Sequence, residues 1–112
     1  MHSEREQLKG NTQTMVLAVL ADGSQHGYAI AREIERRSEN GLKFRDGTLY
    51  PALQSLENEG HIVGSWEAAG NGPPRKVYRL TERGKAELET RTQAWDQFTR
   101  MINRILKPEP QS

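Results

Sequence analysis

The stretch that decides the fold is GTLYPALQSLENEG, residues 47–60. Its apolar residues recur at i, i+3, i+4 and i+7, which is the spacing of one face of a helix: Leu49, Ala52, Leu53 and Leu56. Because proline lacks an N–H and is tolerated near a helix start, Pro51 predicts that this helix begins between about Asp46 and Thr48. Gly60 stands where a helix C-cap belongs. The polar and aromatic residues then remain on the outer face: Thr48, Tyr50, Gln54, Ser55 and Asn58.

Downstream, residues 61–81 change to a period of two and are rich in β-branched and aromatic side chains, a pattern that predicts a hairpin. Ile62 and Trp66 belong to its first strand, and residues 77–80 to its second. The intervening residues 69–76 hold two glycines and two prolines, from which we expect an irregular tip that does not continue the paired ladder. Arg75 and Lys76 stand at the returning edge of this tip.

Upstream, the apolar run from Met15 to Ala21 predicts a buried helix that is closed by a turn at residues 22–23. Ser24 is a candidate N-cap for a second, amphipathic helix that ends at residues 40–41, and residues 42–44 are short enough for a strand stub. We expect residues 1–10 and 108–112, which carry little pattern, to fray.

Thr81 can cap a last long helix, on which Trp95, Phe98, Ile102 and Ile105 follow one another at heptad-like spacing. An apolar stripe of this kind favours a dimer interface, although it could also pack on its own domain. Trp95 could either fill the core of such an interface or line a cavity for a flat aromatic ligand.

The composition predicts one small, soluble, cytoplasmic domain. The chain has 112 residues, no cysteine, and 16 basic against 15 acidic side chains, for a net charge of +1. Its mean hydropathy is −0.85. The absence of cysteine excludes disulfides and thiolate metal sites, and fits a reducing compartment. The longest apolar run is far shorter than the roughly 20 residues of a membrane span. Positive charge is local: residues 61–80 hold three basic residues against the single acid Glu67.

Little in the sequence supports catalysis, a metal or a cofactor. The three histidines, His2, His26 and His61, lack the close spacing of metal ligands. The lone G-x-G at residues 70–72 is followed by prolines and not by the helix that a phosphate-binding loop needs. No serine stands in a nucleophile-elbow context. We therefore expect a protein that is not an enzyme.

The order helix, helix, strand stub, helix, hairpin, helix predicts an α+β fold, mostly α: a winged helix-turn-helix. In that fold the helix near Gly47 would enter the major groove of double-stranded DNA, which is ~12 Å wide, and the hairpin would reach the adjacent backbone. Arg75 and Lys76 would then neutralise phosphates, although both could instead be solvated residues of a hairpin tip.

Three motifs, in order, give the chain a resemblance to a known family: HGYAI at residues 26–30, GTLYPALxxLExxG at 47–60, and RKVYRLTxxG at 75–84. Together they resemble the PadR family of transcriptional regulators, over about residues 8–106. The short tail is similar to that of small members with a single C-terminal helix. The resemblance implies a DNA-binding domain at 8–81 and a C-terminal dimerisation helix at 82–107. It also implies a homodimeric repressor that leaves a palindromic operator in response to a small molecule or another signal.

Matched position by position, the resemblance implies DNA contacts by Tyr28, Thr48 and Tyr50, and basic wing residues at Arg75 and Lys76. Both tyrosines could equally pack at the edge of the core. Residues 47–60 contain no lysine or arginine, so base readout by arginine from this helix is excluded. Specificity would then come from Tyr50, Gln54 and Ser55, from DNA shape or from the wing.

In similar small regulators the dimer interface can host hydrophobic drugs, which makes Trp95 and Phe98 candidate contacts for an aromatic or hydrophobic effector. Two other functions stay open. One is a protein–protein adaptor on a winged-helix scaffold, which the poorly basic helix allows. The other is a ligand-binding helical dimer that ignores DNA.

Overall fold

The computed structural model describes residues 4–44 and 47–107, with side chains from Asn11 onward. The elements follow in chain order as α1 (Glu4–Leu20), β1 (Gln25–His26), α2 (Gly27–Arg37), α3 (Leu49–Asn58), β2 (Ile62–Ala69), β3 (Gly72–Leu80) and α4 (Glu82–Leu106). This order confirms the expected α+β, mostly helical architecture. The β2–β3 hairpin, Ile62–Leu80, is called the wing below.

The core lies where α1, α2 and α3 meet the root of the wing. Leu17 of α1, Ile30 of α2, Leu53 and Leu56 of α3, and Ile62 of β2 are each less than 2% exposed. The helical spacing of apolar residues in α2 and α3 is therefore the spacing of their buried faces. The opposite flank of α3 is left at the surface, and that flank carries Tyr50 and Gln54.

The sheet has three antiparallel strands in the order β1-β3-β2. Its short strand is Gln25–His26, which pairs with Tyr78 and Val77, and not the stub expected at residues 42–44. Residues 42–44 instead cover the core, and the N–H of Phe44 donates to Glu35 Oε2 at 3.3 Å. The N-cap expected at Ser24 is also wrong, because the chain is still extended at His26, whose side chain makes no capping hydrogen bond.

The wing is more regular than the sequence suggested. Its strands are joined by a two-residue turn at 70–71, and pairing continues from Glu67 opposite Arg75 to Ala69 opposite Gly72, with one irregularity between. Pro73 and Pro74 lie inside β3, so the expectation that they end the ladder is wrong. They are accommodated because β1 pairs only with Val77 and Tyr78, which leaves the proline end of β3 with a free edge.

Several helix bounds differ from the expected ones. α1 begins at Glu4, well before the apolar run, so fraying over all of residues 1–10 is not what the structure shows. α2 ends at Arg37, and Glu39 and Asn40 then take positive φ in the turn. α3 begins at Leu49, one residue after the expected range. The expectation for residues 1–3 and 108–112 lies outside the described residues.

The last helix is anchored at its start and exposed along most of its length. The Thr81 hydroxyl accepts from the Gly84 N–H at 3.0 Å, which confirms the predicted cap. A short apolar stripe farther along α4 is half or more exposed: Trp95, Phe98, Met101, Ile105 and Leu106. In the described part of the chain, no helix is long and apolar enough to cross a membrane.

Candidate nucleic-acid interface

An open cleft of about 600 Å³ lies between the first turns of α2 and α3 and the wing. Below it is called the aromatic cleft. It is lined by Gly27, Tyr28, Tyr50, Trp66, Arg75, Lys76 and Tyr78. Three of its aromatic side chains are largely exposed: Tyr28 at 67%, Tyr50 at 59% and Trp66 at 70%. Large apolar rings next to cations at an open surface are available to a partner molecule.

Tyr50 is positioned by the glycine that starts α2. A Cβ built on Gly27 would lie 3.4 Å from the Tyr50 ring and 3.7 Å from its hydroxyl, which is ordinary van der Waals contact, so the ring lies beside the start of α2. Leu49, the preceding residue, points about 100° away around the helix axis and is buried. The helical twist therefore directs consecutive side chains of α3 into the core and into the aromatic cleft.

Tyr28 is held by a residue one helical turn farther along α2. The Arg32 Nε donates to the Tyr28 hydroxyl at 2.9 Å, and the guanidinium carbon of Arg32 lies 4.9 Å from the centre of the Tyr28 ring. These contacts raise the pKa of Arg32. The Arg32 guanidinium is also paired with Glu35 at 3.0 Å, so its charge is partly neutralised, and the sequence motif did not reveal its contact with Tyr28.

Lys76 is not a free cation. Its Nζ donates to Glu57 Oε1 of α3 at 3.0 Å, and this hydrogen bond raises the pKa of Lys76. The same Nζ lies 5.9 Å from the centre of the Trp66 ring and 5.4 Å from that of Tyr78. Burial raises the pKa of the Tyr78 hydroxyl, so that ring is neutral and favours the nearby ammonium group.

Arg75 and Arg79 supply charge without an internal partner. Both are exposed on β3, and neither makes an ion pair with a side chain within residues 11–44 or 47–107. Arg75 stands opposite Glu67 in the ladder and lines the aromatic cleft, whereas Arg79 lies outside that lining. The usable positive charge of the wing is therefore at Arg75 and Arg79 more than at Lys76.

The remaining predicted residues lie in two other places. Thr48 is the N-cap residue of α3 and makes no side-chain capping bond, while Gln54 and Ser55 lie farther along α3, outside the lining of the aromatic cleft. Trp95 and Phe98 lie together on α4, with ring centres 6.3 Å apart and planes tilted by 42°. The structure therefore brings four of the predicted residues together in the aromatic cleft: Tyr28, Tyr50, Arg75 and Lys76. The other predicted residues lie outside this cleft.

Sequence reasoning missed Trp66 and Tyr78 as lining residues of the aromatic cleft, and Glu57 as the partner of Lys76. Period two assigned Trp66 to the face of buried Ile62, but the wing extends beyond the core and leaves Trp66 in solvent. A register that pairs Trp66 with Lys76 would have found it, but the irregular tip hid that register. Within the described residues, no group of three or more His, Asp or Glu side chains could hold a metal ion.

Comparison with known proteins agrees with this architecture. The model of the family described as "Transcriptional regulator PadR-like family" matches residues 16–90. A transcriptional regulator of Mycobacterium tuberculosis is 33% identical over 98 residues, which cover 88% of this chain and 88% of that protein.

Solved structures of transcriptional regulators have the same fold as this chain. A transcriptional regulator from Clostridium thermocellum superposes with a TM-score of 0.84 at 25% identity, covering 91% of this chain and 99% of that one. A PadR-like transcriptional regulator from Bacillus cereus gives 0.76 at 27% identity, covering 93% and 99%. The predicted family resemblance is confirmed, and the chain belongs to the PadR-like family of transcriptional regulators.

Proposed function

We propose that this chain is a homodimeric repressor that binds a palindromic site in double-stranded DNA and is released by a small aromatic or hydrophobic effector. Residues 8–81 form its DNA-binding domain, and residues 82–107 its dimerisation helix. The observation that carries the proposal is the shared aromatic cleft: Tyr50 of α3 opens on the same surface as Arg75 and Lys76 of the wing, while the leucine face of α3 is buried.

In this proposal α3 enters the major groove and the wing follows the neighbouring backbone. Arg75 neutralises a phosphate, and the hydroxyls of Tyr28 and Tyr50 donate to phosphate oxygens near the first turns of α2 and α3. Because α3 has no basic side chain, base edges are read by Gln54 and Ser55, with Thr48 at the N-terminal end of the same helix. DNA shape supplies the rest of the specificity.

Dimerisation is assigned to the exposed apolar stripe of α4. Trp95, Phe98, Met101 and Ile105 recur at intervals of three or four residues, so they lie along one side of the helix. A second copy of the same stripe would cover them through a twofold axis, which is the commonest symmetry of soluble oligomers. A twofold protein then requires two half-sites related by the same symmetry, which is why we propose a palindrome.

The effector is assigned to Trp95 and Phe98, whose tilted rings could receive a flat molecule between two copies of α4. Planar phenolic or cationic compounds should quench Trp95 fluorescence and weaken operator binding. The measurement needs a Trp66→Phe background, because Trp66 is also exposed. A broad panel of compounds without any response would remove the effector from the proposal.

The deciding experiment is selection of random duplexes on the purified protein. Enrichment of a palindrome whose half-site centres are about 10 base pairs or a multiple of that apart supports the proposal. A chain that enriches no sequence and binds duplexes only non-specifically would refute it. That result would favour the protein–protein adaptor, for which the uncharged flank of α3 and the two acids near its end, Glu57 and Glu59, are the supporting observation.

A further inference from the structure

Glu57 lies at the point where α3 meets the wing. One carboxylate oxygen accepts from the Lys76 Nζ at 3.0 Å, and the other accepts from the Gly64 N–H at 3.2 Å. The first bond reaches β3 and the second reaches β2. A single side chain of α3 therefore binds both strands of the wing.

Gly64 makes this arrangement possible. A Cβ at this position would collide with the Lys76 side chain and lie 3.2 Å from the Glu57 carboxylate. The missing side chain leaves a passage over β2 along which the stem of Lys76 reaches back to α3. The contact is thus a built feature of three elements and not an accidental meeting of two surface side chains.

The ion pair is also exchangeable. The side chains of Lys76 and Glu57 are 30% and 31% exposed, so water reaches the pair and its net contribution is modest. A DNA phosphate next to the aromatic cleft offers Lys76 a second anionic partner. Whether the ammonium stays on Glu57 or moves to the phosphate depends on how closely the backbone approaches, and hence on how fully α3 is seated in the groove.

We propose that Glu57 is a positioning residue that sets specificity, because it holds Lys76 away from non-cognate DNA and releases it to a phosphate only when α3 is seated on the operator. This inference rests on the proposed function. Non-cognate complexes then contain one phosphate contact fewer per protomer than the operator complex. A contact made only on the right sequence raises the ratio of specific to non-specific affinity.

The test uses Glu57→Gln, Lys76→Gln and the double variant, each made in the 112-residue chain. Fluorescence anisotropy gives affinities for the selected operator and for a scrambled duplex between 50 and 300 mM KCl. Glu57→Gln keeps an acceptor for the Gly64 N–H and removes the charge that holds Lys76. Glu59→Gln is the matched control, since it changes the net charge equally at a carboxylate that faces His61 and not Lys76.

The salt slope is the slope of the logarithm of the binding constant against the logarithm of the salt concentration. For Glu57→Gln we expect this slope on the scrambled duplex to steepen by about 0.9 for each phosphate newly contacted. Each such contact raises the affinity at 0.1 M salt about 8-fold. The operator affinity should change much less, so discrimination falls. Lys76→Gln should flatten the slope on the operator by the same amount and leave the scrambled duplex unchanged. In the double variant the gain on the scrambled duplex should disappear.

Several outcomes would overturn the inference. One is an unchanged scrambled-duplex slope in Glu57→Gln, and another is an equal effect from Glu59→Gln. A third is a Lys76→Gln variant that loses the same slope on both duplexes. If circular dichroism shows that Glu57→Gln does not fold, the Lys76→Gln measurements alone test the inference. A wild-type protein that binds both duplexes equally refutes the proposed function, and the inference with it, whereas a discriminating wild type with unaltered variants refutes only the inference.

Discussion

Gly84, in the first turn of α4, offers a stringent test of how the last helix is attached to the wing. A Cβ at this position would collide with the backbone carbonyl of His61 and would lie 2.8 Å from a methyl carbon of Leu80. The collision is with backbone, so no side-chain rotation relieves it. In Gly84→Ala, α4 must move away from the α3–β2 junction.

The cost follows from three effects. Overpacking of this kind costs about 1–3 kcal/mol. The displacement also weakens the hydrogen bond from the Gly84 N–H to the Thr81 hydroxyl, and loss of an N-cap costs about 1 kcal/mol. Alanine recovers about 1 kcal/mol through its better helix propensity. We therefore expect a net loss of about 1–3 kcal/mol.

The assay is thermal unfolding followed by circular dichroism at one fixed protein concentration, because the proposed dimer would have a melting temperature that depends on concentration. The expected decrease in Tm is about 5–15 °C, from roughly 5 °C per kcal/mol for a domain near this size. Ala86→Gly is the matched control: it makes the reverse change at an exposed position of α4 and should cost about 1 kcal/mol from propensity alone. A Gly84→Ala protein as stable as the wild type, or more so, would refute the close-approach argument.

Three further predictions concern charge and assembly. Arg75→Ala should weaken binding to all duplexes alike and lower the magnitude of the salt slope by about 0.9 per lost phosphate contact; an unchanged slope in a salt titration would contradict the phosphate role. Hydrogen bonds from Arg36 and Arg37 lower the pKa of Glu33 to about 2. The ionised Glu33 therefore stabilises the folded state above about pH 4.5, and this stabilisation is lost as the pH falls toward 2. Glu33→Gln should therefore flatten the dependence of Tm on pH in that window, and parallel curves for the two proteins would argue against it. Phe98→Glu should convert the proposed dimer to a monomer in light-scattering measurements, because it places a charge in the apolar stripe, while Gln97→Glu should not; a dimeric Phe98→Glu protein would exclude this stripe as the interface.

The sequence by itself predicted the buried face of α3, the cap of α4 and the order of the main helices and the hairpin, although it misplaced the N-cap of α2 and the short strand. The spacing of Leu49, Leu53 and Leu56 indicated the buried face of α3, because helical geometry alone brings residues three and four apart onto one side. Thr81 was identified as a cap because its hydroxyl needs to reach only three residues ahead. The order of the elements and the three motifs were enough to predict the family.

Tertiary structure alone decided the features that join distant segments. The partner of Lys76 is Glu57, 19 residues away on another element, and no local period encodes that meeting. Trp66 lines the aromatic cleft only because the wing extends past the core. Gln25–His26 forms a strand because it pairs with β3 at Val77 and Tyr78. Periodicity shows which face of a segment avoids water, but the path of the whole chain determines what that segment finally touches.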